Sequence, residues 1–203
     1  MQPRRKTRKA KNAYRVFGEC RRDVKTTRLE AFSDGVIAII ITIMVLELKA
    51  PHDSSISALR EVLPVLGCYA LSFVLVAIYW NNHHHMFHAT QKVSGAVLWA
   101  NMHLLFWLSL IPFMTRWIGD DQFASIPVAL YGAVLLLAGL AYYTLSRLLI
   151  GLHGADSPIA VAMAGDAKGR LSLALYALAI ALAFVSPWIA MGIYVLVALM
   201  WLV

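Results

Sequence analysis

Apolar stretches long enough to cross a lipid bilayer recur along this chain, and no other feature limits its fold as tightly. They run from Leu29 to Leu48, Val62 to Trp80, Val93 to Phe113 and Ile126 to Leu145. Each is close to the ~20 residues a helix needs to span the hydrocarbon core. A last stretch, Leu171 to Val203, holds 33 residues, which as one helix would be ~50 Å long, too long for a single crossing. Ser186-Pro187-Trp188 sits at its middle. Proline breaks a helix and tryptophan favours the membrane interface, so this stretch reads as two short spans joined by a tight hairpin. The chain is thus expected to be an all-α membrane protein of six helices, with five as the alternative.

Composition agrees. Sixty per cent of the residues are hydrophobic and the mean hydropathy is +0.68, against ~45–50% apolar in a soluble domain. The formal charge of +7 is unevenly placed, since eleven of the 18 Lys and Arg lie in residues 1–28. Residues 1–27 are read as a basic cytoplasmic arm with a disordered start, and residues 28–203 as the six-helix membrane domain. The arm suits anionic lipid headgroups. It lacks the aromatic interleaving of a nucleic-acid surface, so nucleic acid is not expected as a partner. A signal peptide is disfavoured by the arm's length and by the missing small-x-small cleavage site. With the N-terminus inside, Lys92, Arg147, Lys168 and Arg170 also fall inside, leaving only Lys49, Arg60 and Arg116 outside. That asymmetry predicts a multi-pass protein with both termini cytoplasmic. Cys20 and Cys68 give no disulfide framework. Residues 147–170 read as a Gly- and Ala-rich linker punctuated by Pro158.

The first span carries the chemistry. Arg28, Phe32, Ser33, Asp34 and Gly35 lead directly into an isoleucine-rich run, and Glu47 closes it. Ionisable groups at membrane depth are costly and normally face a protein interior or a water path. On a 3.6-residue helix Ile39, Thr42, Ile43 and Leu46 share one face. If copies of this helix surround an axis, those side chains form apolar rings that gate by dewetting, with a threonine layer between them; simple packing gives the same spacing. Ser33 and Asp34 are read either as helix-start capping groups or as members of a polar network with Trp80, Asn101 and His103. His84 and His88, at i and i+4, are a weak candidate metal pair, and no carboxylate lies near them in sequence to complete a set. A proton relay of Asp34 and His103 in a coupled transporter is the rival reading. No phosphate loop, nucleophile elbow or paired-histidine zinc motif is present, so an enzyme is not expected.

Arg28-x-x-x-Phe32-Ser33-Asp34-Gly35 before an isoleucine-rich helix, the Trp80-Asn81-x-His83 patch, and Asn101 with His103 resemble the signature of the transmembrane protein 175 family. The resemblance implies a homotetrameric, potassium-permeable channel of the bacterial inner membrane that needs no cofactor beyond its permeant K+. It places the pore along the first helix of each subunit. By matching positions it puts the constriction at Ile39, Ile43 and Leu46 and a polar layer at Thr42. Arg28, Phe32, Ser33 and Asp34 would act as packing and network residues, and selectivity for potassium would be weak. The long basic arm departs from the family pattern.

Overall fold

The computed structural model describes residues 5–154, 156–162 and 167–202, and the side chains of these from residue 26 onward except that of Ala162. It is all-helical: α1 (Arg5–Leu46), α2 (Ile56–His88), α3 (Gly95–Ser109), α4 (Ile111–Asp120), α5 (Ser125–His153), α6 (Pro158–Ala162), α7 (Ala167–Ala183) and α8 (Pro187–Leu202). Among the described residues, four segments are long and apolar enough to cross a membrane: Thr26–Leu46, Ile56–His88, Gly95–Asp120 and Ser125–His153. Residues 1–4, where the arm was expected to start disordered, lie outside the described residues; from Arg5 the backbone is helical and runs into the first span without a break.

Local chemistry sets most boundaries. α1 stops before Lys49-Ala50-Pro51, where proline disfavours helix in the residue preceding it. Ser55 caps α2 by accepting the Ala58 N–H at 3.1 Å, and Ser94 caps α3 by accepting from Val97 N–H at 3.3 Å. α2 extends well beyond the expected Val62–Trp80 at both ends, carries Pro64 inside it and takes in the histidine cluster. The third span is a correction: instead of one helix through Phe113 it breaks at Leu110, with Pro112 at the start of α4. Proline cannot donate into the preceding turn, so the ladder interrupts there. The expected linker at 147–170 also shortens. α5 runs on to His153, α6 occupies part of the gap and α7 begins at Ala167. Gly154 ends α5 at φ 92°, a conformation glycine adopts without steric cost. The last apolar stretch divides at the expected place, with Pro187 opening α8.

α5 is the central strut, packed against α3, α4, α7 and α8. Val128, Tyr131, Leu135, Ala138 and Leu145 are fully or almost fully buried along it. A polar knot crosses this core: Ser72 Oγ lies 2.7 Å from Thr115 Oγ1 and 3.0 Å from Tyr131 Oη, joining α2, α4 and α5. The hydroxyls satisfy one another, as buried polar groups must. At one end of the bundle Lys49 Nζ meets Asp120 Oδ1 at 2.7 Å, and Arg116 pairs with Glu47. Phe123 stacks on Trp188 at 4.7 Å at that same end. At the other end His153 Nε2 accepts the backbone N–H groups of Gln91 and Lys92, both at 3.1 Å. Trp201 there donates to Ser172 Oγ at 2.9 Å, which returns the last helix to the end where the arm enters.

Candidate functional site

The face of α1 that packs inward is Ser33, Ile37, Ile40 and Met44, at spacings of four, three and four residues. Ile37 is 0% exposed. The adjoining face is left open by the rest of the chain, with Ile39 58%, Ile43 41% and Leu46 80% exposed. Thr42 sits within that face, and its hydroxyl donates to the Ile39 carbonyl at 2.9 Å. With its proton used in its own helix, the exposed hydroxyl oxygen keeps only acceptor capacity. A groove runs beside this face, lined by Ile39 and Ile43 of α1, by Glu47 just past its end, and by Pro112, Phe113 and Arg116 of α4.

At the arm end of α1 the structure brings three elements together through side chains. Ser33 Oγ donates to the Leu29 carbonyl at 2.9 Å and accepts from Asn101 Nδ2 at 2.9 Å. Asn101 Oδ1 faces His83 Nε2 at 2.8 Å, and since an amide oxygen only accepts, His83 Nε2 is the donor. Ser33, His83 and Asn101 are all fully buried, so α1, α2 and α3 are locked by a dry chain of hydrogen bonds. His83 Nδ1 has no partner in it. Trp80 Nε1 adds a further tie, donating to Asp34 Oδ1 at 3.0 Å.

The expected network members divide. Ser33, Asp34, Trp80 and Asn101 are brought together. His103 is not: it is exposed and accepts from Trp107 Nε1 at 2.8 Å. Residues 101 and 103 are two positions apart on a helix, so they point to different faces. Arg28 and Phe32 lie on the exposed side of α1, and a Cβ added to Gly35 would meet nothing within 4 Å. Sequence reasoning met His83 only as part of the Trp80-Asn81-x-His83 patch, without a partner for it, and passed over Glu30. Glu30 stands one turn before Asp34, and its carboxylate approaches His84 Nδ1 at 3.1 Å. His84 and His88, the weak candidate pair, share one face of α2. Their rings stack at 6.1 Å, while the potential ligand atoms that converge are those of Glu30, Asp34 and His84.

Comparison with known proteins assigns the chain to a family. Residues 28–112 match the family model described as endosomal/lysosomal potassium channel TMEM175. A potassium channel of Chryseobacterium sp. is 53% identical over 176 residues, covering 87% of this chain and 92% of that protein. The endosomal/lysosomal proton channel TMEM175 of Danio rerio is 37% identical over 136 residues, 64% of this chain and 25% of that longer protein. The crystal structure of a lysosomal potassium-selective channel TMEM175 homologue from Chamaesiphon minutus superposes with a TM-score of 0.76 at 28% identity, covering 88% of this chain and 96% of that one. With 53% identity over 176 residues to a relative covered almost end to end, the chain belongs to the TMEM175 family, whose members are multi-pass ion channels and not enzymes.

Proposed function

We propose that this protein is a potassium-permeable cation channel that works as a homotetramer, with α1 of each subunit lining a central pore. Ile39, Ile43 and Leu46 form its hydrophobic constriction and Thr42 its polar layer. The observation that carries the reading is the second apolar face of α1. It is uncovered within the chain, holds a threonine oxygen at its middle, and ends at the Glu47–Arg116 pair. A helix turned only toward lipid has no use for a charged groove at its edge, whereas a neighbouring copy and a water-filled axis account for both. Stacked isoleucine rings a few ångströms wide exclude water and so hold the pore shut until they part. No bound cofactor is required, because conduction follows the ion gradient.

In this reading α7 and α8 are also spans. At 17 and 16 residues they cover about 25 Å each, which a modestly thinned bilayer accommodates. Six crossings put both termini with the basic arm on the cytoplasmic side of the bacterial inner membrane, where its cations meet anionic lipid. The relay of Asp34 and His103 loses its support, since these two side chains bond to different tryptophans.

The test is the reversal potential of purified protein in planar bilayers under a potassium/sodium gradient at fixed pH. Reversal near the potassium potential is expected. Flux that appears only with a proton gradient would replace the channel by a coupled transporter.

A further inference from the structure

We propose that Glu30, Asp34 and His84 form a binding site for a borderline divalent metal cation, zinc being the best match, where the arm enters the bundle. The site is separate from the pore face and its case does not depend on that face. Glu30 and Asp34 are i and i+4 on α1, so their carboxylates leave the same side of the helix. His84 reaches them from α2. One ligand atom from each residue lies within 4.8 Å of the other two. Ligands bound at ~2.0–2.2 Å around a tetrahedral ion stand about 3.4 Å apart, so small side-chain rotations close the set. His84 Nδ1 and Glu30 Oε1 are already 3.1 Å apart.

Three further features fit an ion here. Two carboxylates held this close repel each other, and a dication relieves that repulsion more fully than one imidazolium. A single tryptophan orients two of the three ligands: Trp80 Nε1 donates to Asp34 Oδ1 at 3.0 Å, and its ring stacks on His84 at 5.9 Å with the planes 22° apart. Outer groups that fix ligand orientation in this way are a regular part of metal sites. All three ligands are half-buried, leaving solvent access for the ion and for a water in the fourth position. An imidazole nitrogen beside two carboxylates favours zinc, nickel or cobalt over magnesium or calcium, which prefer oxygen alone.

The experiment is calorimetric titration of Zn2+ alone into the full chain, purified in detergent after chelation, with Mg2+ in parallel. Zinc affinity is expected to fall by at least ~10-fold in Glu30→Gln and in His84→Gln, to stay unchanged in His88→Gln, and to exceed that for magnesium. Because the ion would tie α1 to α2, zinc should also raise the thermal midpoint of the wild type and leave that of Glu30→Gln where it was. Glu30 is partly exposed and outside the buried hydrogen-bond chain, and gel filtration verifies that its variant keeps the wild-type assembly. Absence of zinc binding in the wild type, wild-type affinity in Glu30→Gln, or an equal loss in His88→Gln would each overturn the site. The last outcome would move zinc onto the histidines of α2 alone.

Discussion

Asn101 is the residue on which the arm end of the bundle depends. Its amide offers one donor and one acceptor to two different helices, Ser33 on α1 and His83 on α2. Asn101→Leu would leave both ring nitrogens of His83 buried without a partner, at a cost of about 2–4 kcal/mol. Thermal unfolding in detergent reads this directly, and a wild-type midpoint would refute the role. His103→Ala is the matched contrast. Its side chain is exposed and touches Trp107 within its own helix, so the expected change is within about 0.5 kcal/mol, with potassium current intact. Asp34→Ala removes a charged acceptor from Trp80 and should cost about 1–2 kcal/mol; a fully stable, fully active variant would argue against the tie.

At the scale of the element, α1 carries two stripes and each makes its own prediction. Ile39→Asn places a hydrogen-bonding group in the proposed constriction. It is expected to wet the ring, raising conductance and lowering selectivity, while single-chain packing is untouched because Ile39 is exposed there. Unchanged single-channel current in a folded variant would move the constriction elsewhere. Gly35→Ala separates chain from assembly. Within one chain nothing opposes the added methyl, and alanine favours the helix by about 1 kcal/mol over glycine. Loss of the proposed tetramer on native gels would therefore locate a close approach between copies at Gly35. At the head of α2, Ser55→Ala should cost about 1 kcal/mol through the lost cap. The Ser55 hydroxyl and N–H beside Asp53 hold the Asp53 carboxyl below the usual range. A lowered carboxyl favours the fold above the ordinary carboxylate pKa, and its contribution disappears as pH falls through the lowered one. The Asp53–Ser55 tie beside the cap therefore weakens only in acid.

At the scale of the whole molecule, the packing of α5 on α8 leaves no room for a side chain at Gly132. A methyl at Gly132 would run into the Tyr194 hydroxyl, which donates to the Val128 carbonyl at 3.1 Å. Gly132→Ala should cost about 1–3 kcal/mol through displacement of that ring, visible as a lowered thermal midpoint with the outer ion pairs intact.

The membrane class, the places of the four long spans and the break at Ser186-Pro187 were legible in the sequence, because hydropathy, helix length and proline sterics act locally. The same holds for the polar signature at the mouth of α1, where charge beside an apolar run stands out without any knowledge of the fold. The break at Leu110 was harder to read, since Pro112 lies inside an unbroken apolar run and only the turn of the backbone there reveals α4. Which polar residues meet was not legible at all. Asn101 and His103 look equivalent in sequence, yet a rotation of 200° between them puts one in the dry network and the other outside. Glu30 and His84 meet only because α1 and α2 run antiparallel at that depth. Sequence alone determines what a segment is, since each helix answers to its own hydrophobicity and caps; tertiary structure decides what each side chain faces, since that depends on how helices are rotated and paired, and packing settles it among segments far apart in the chain.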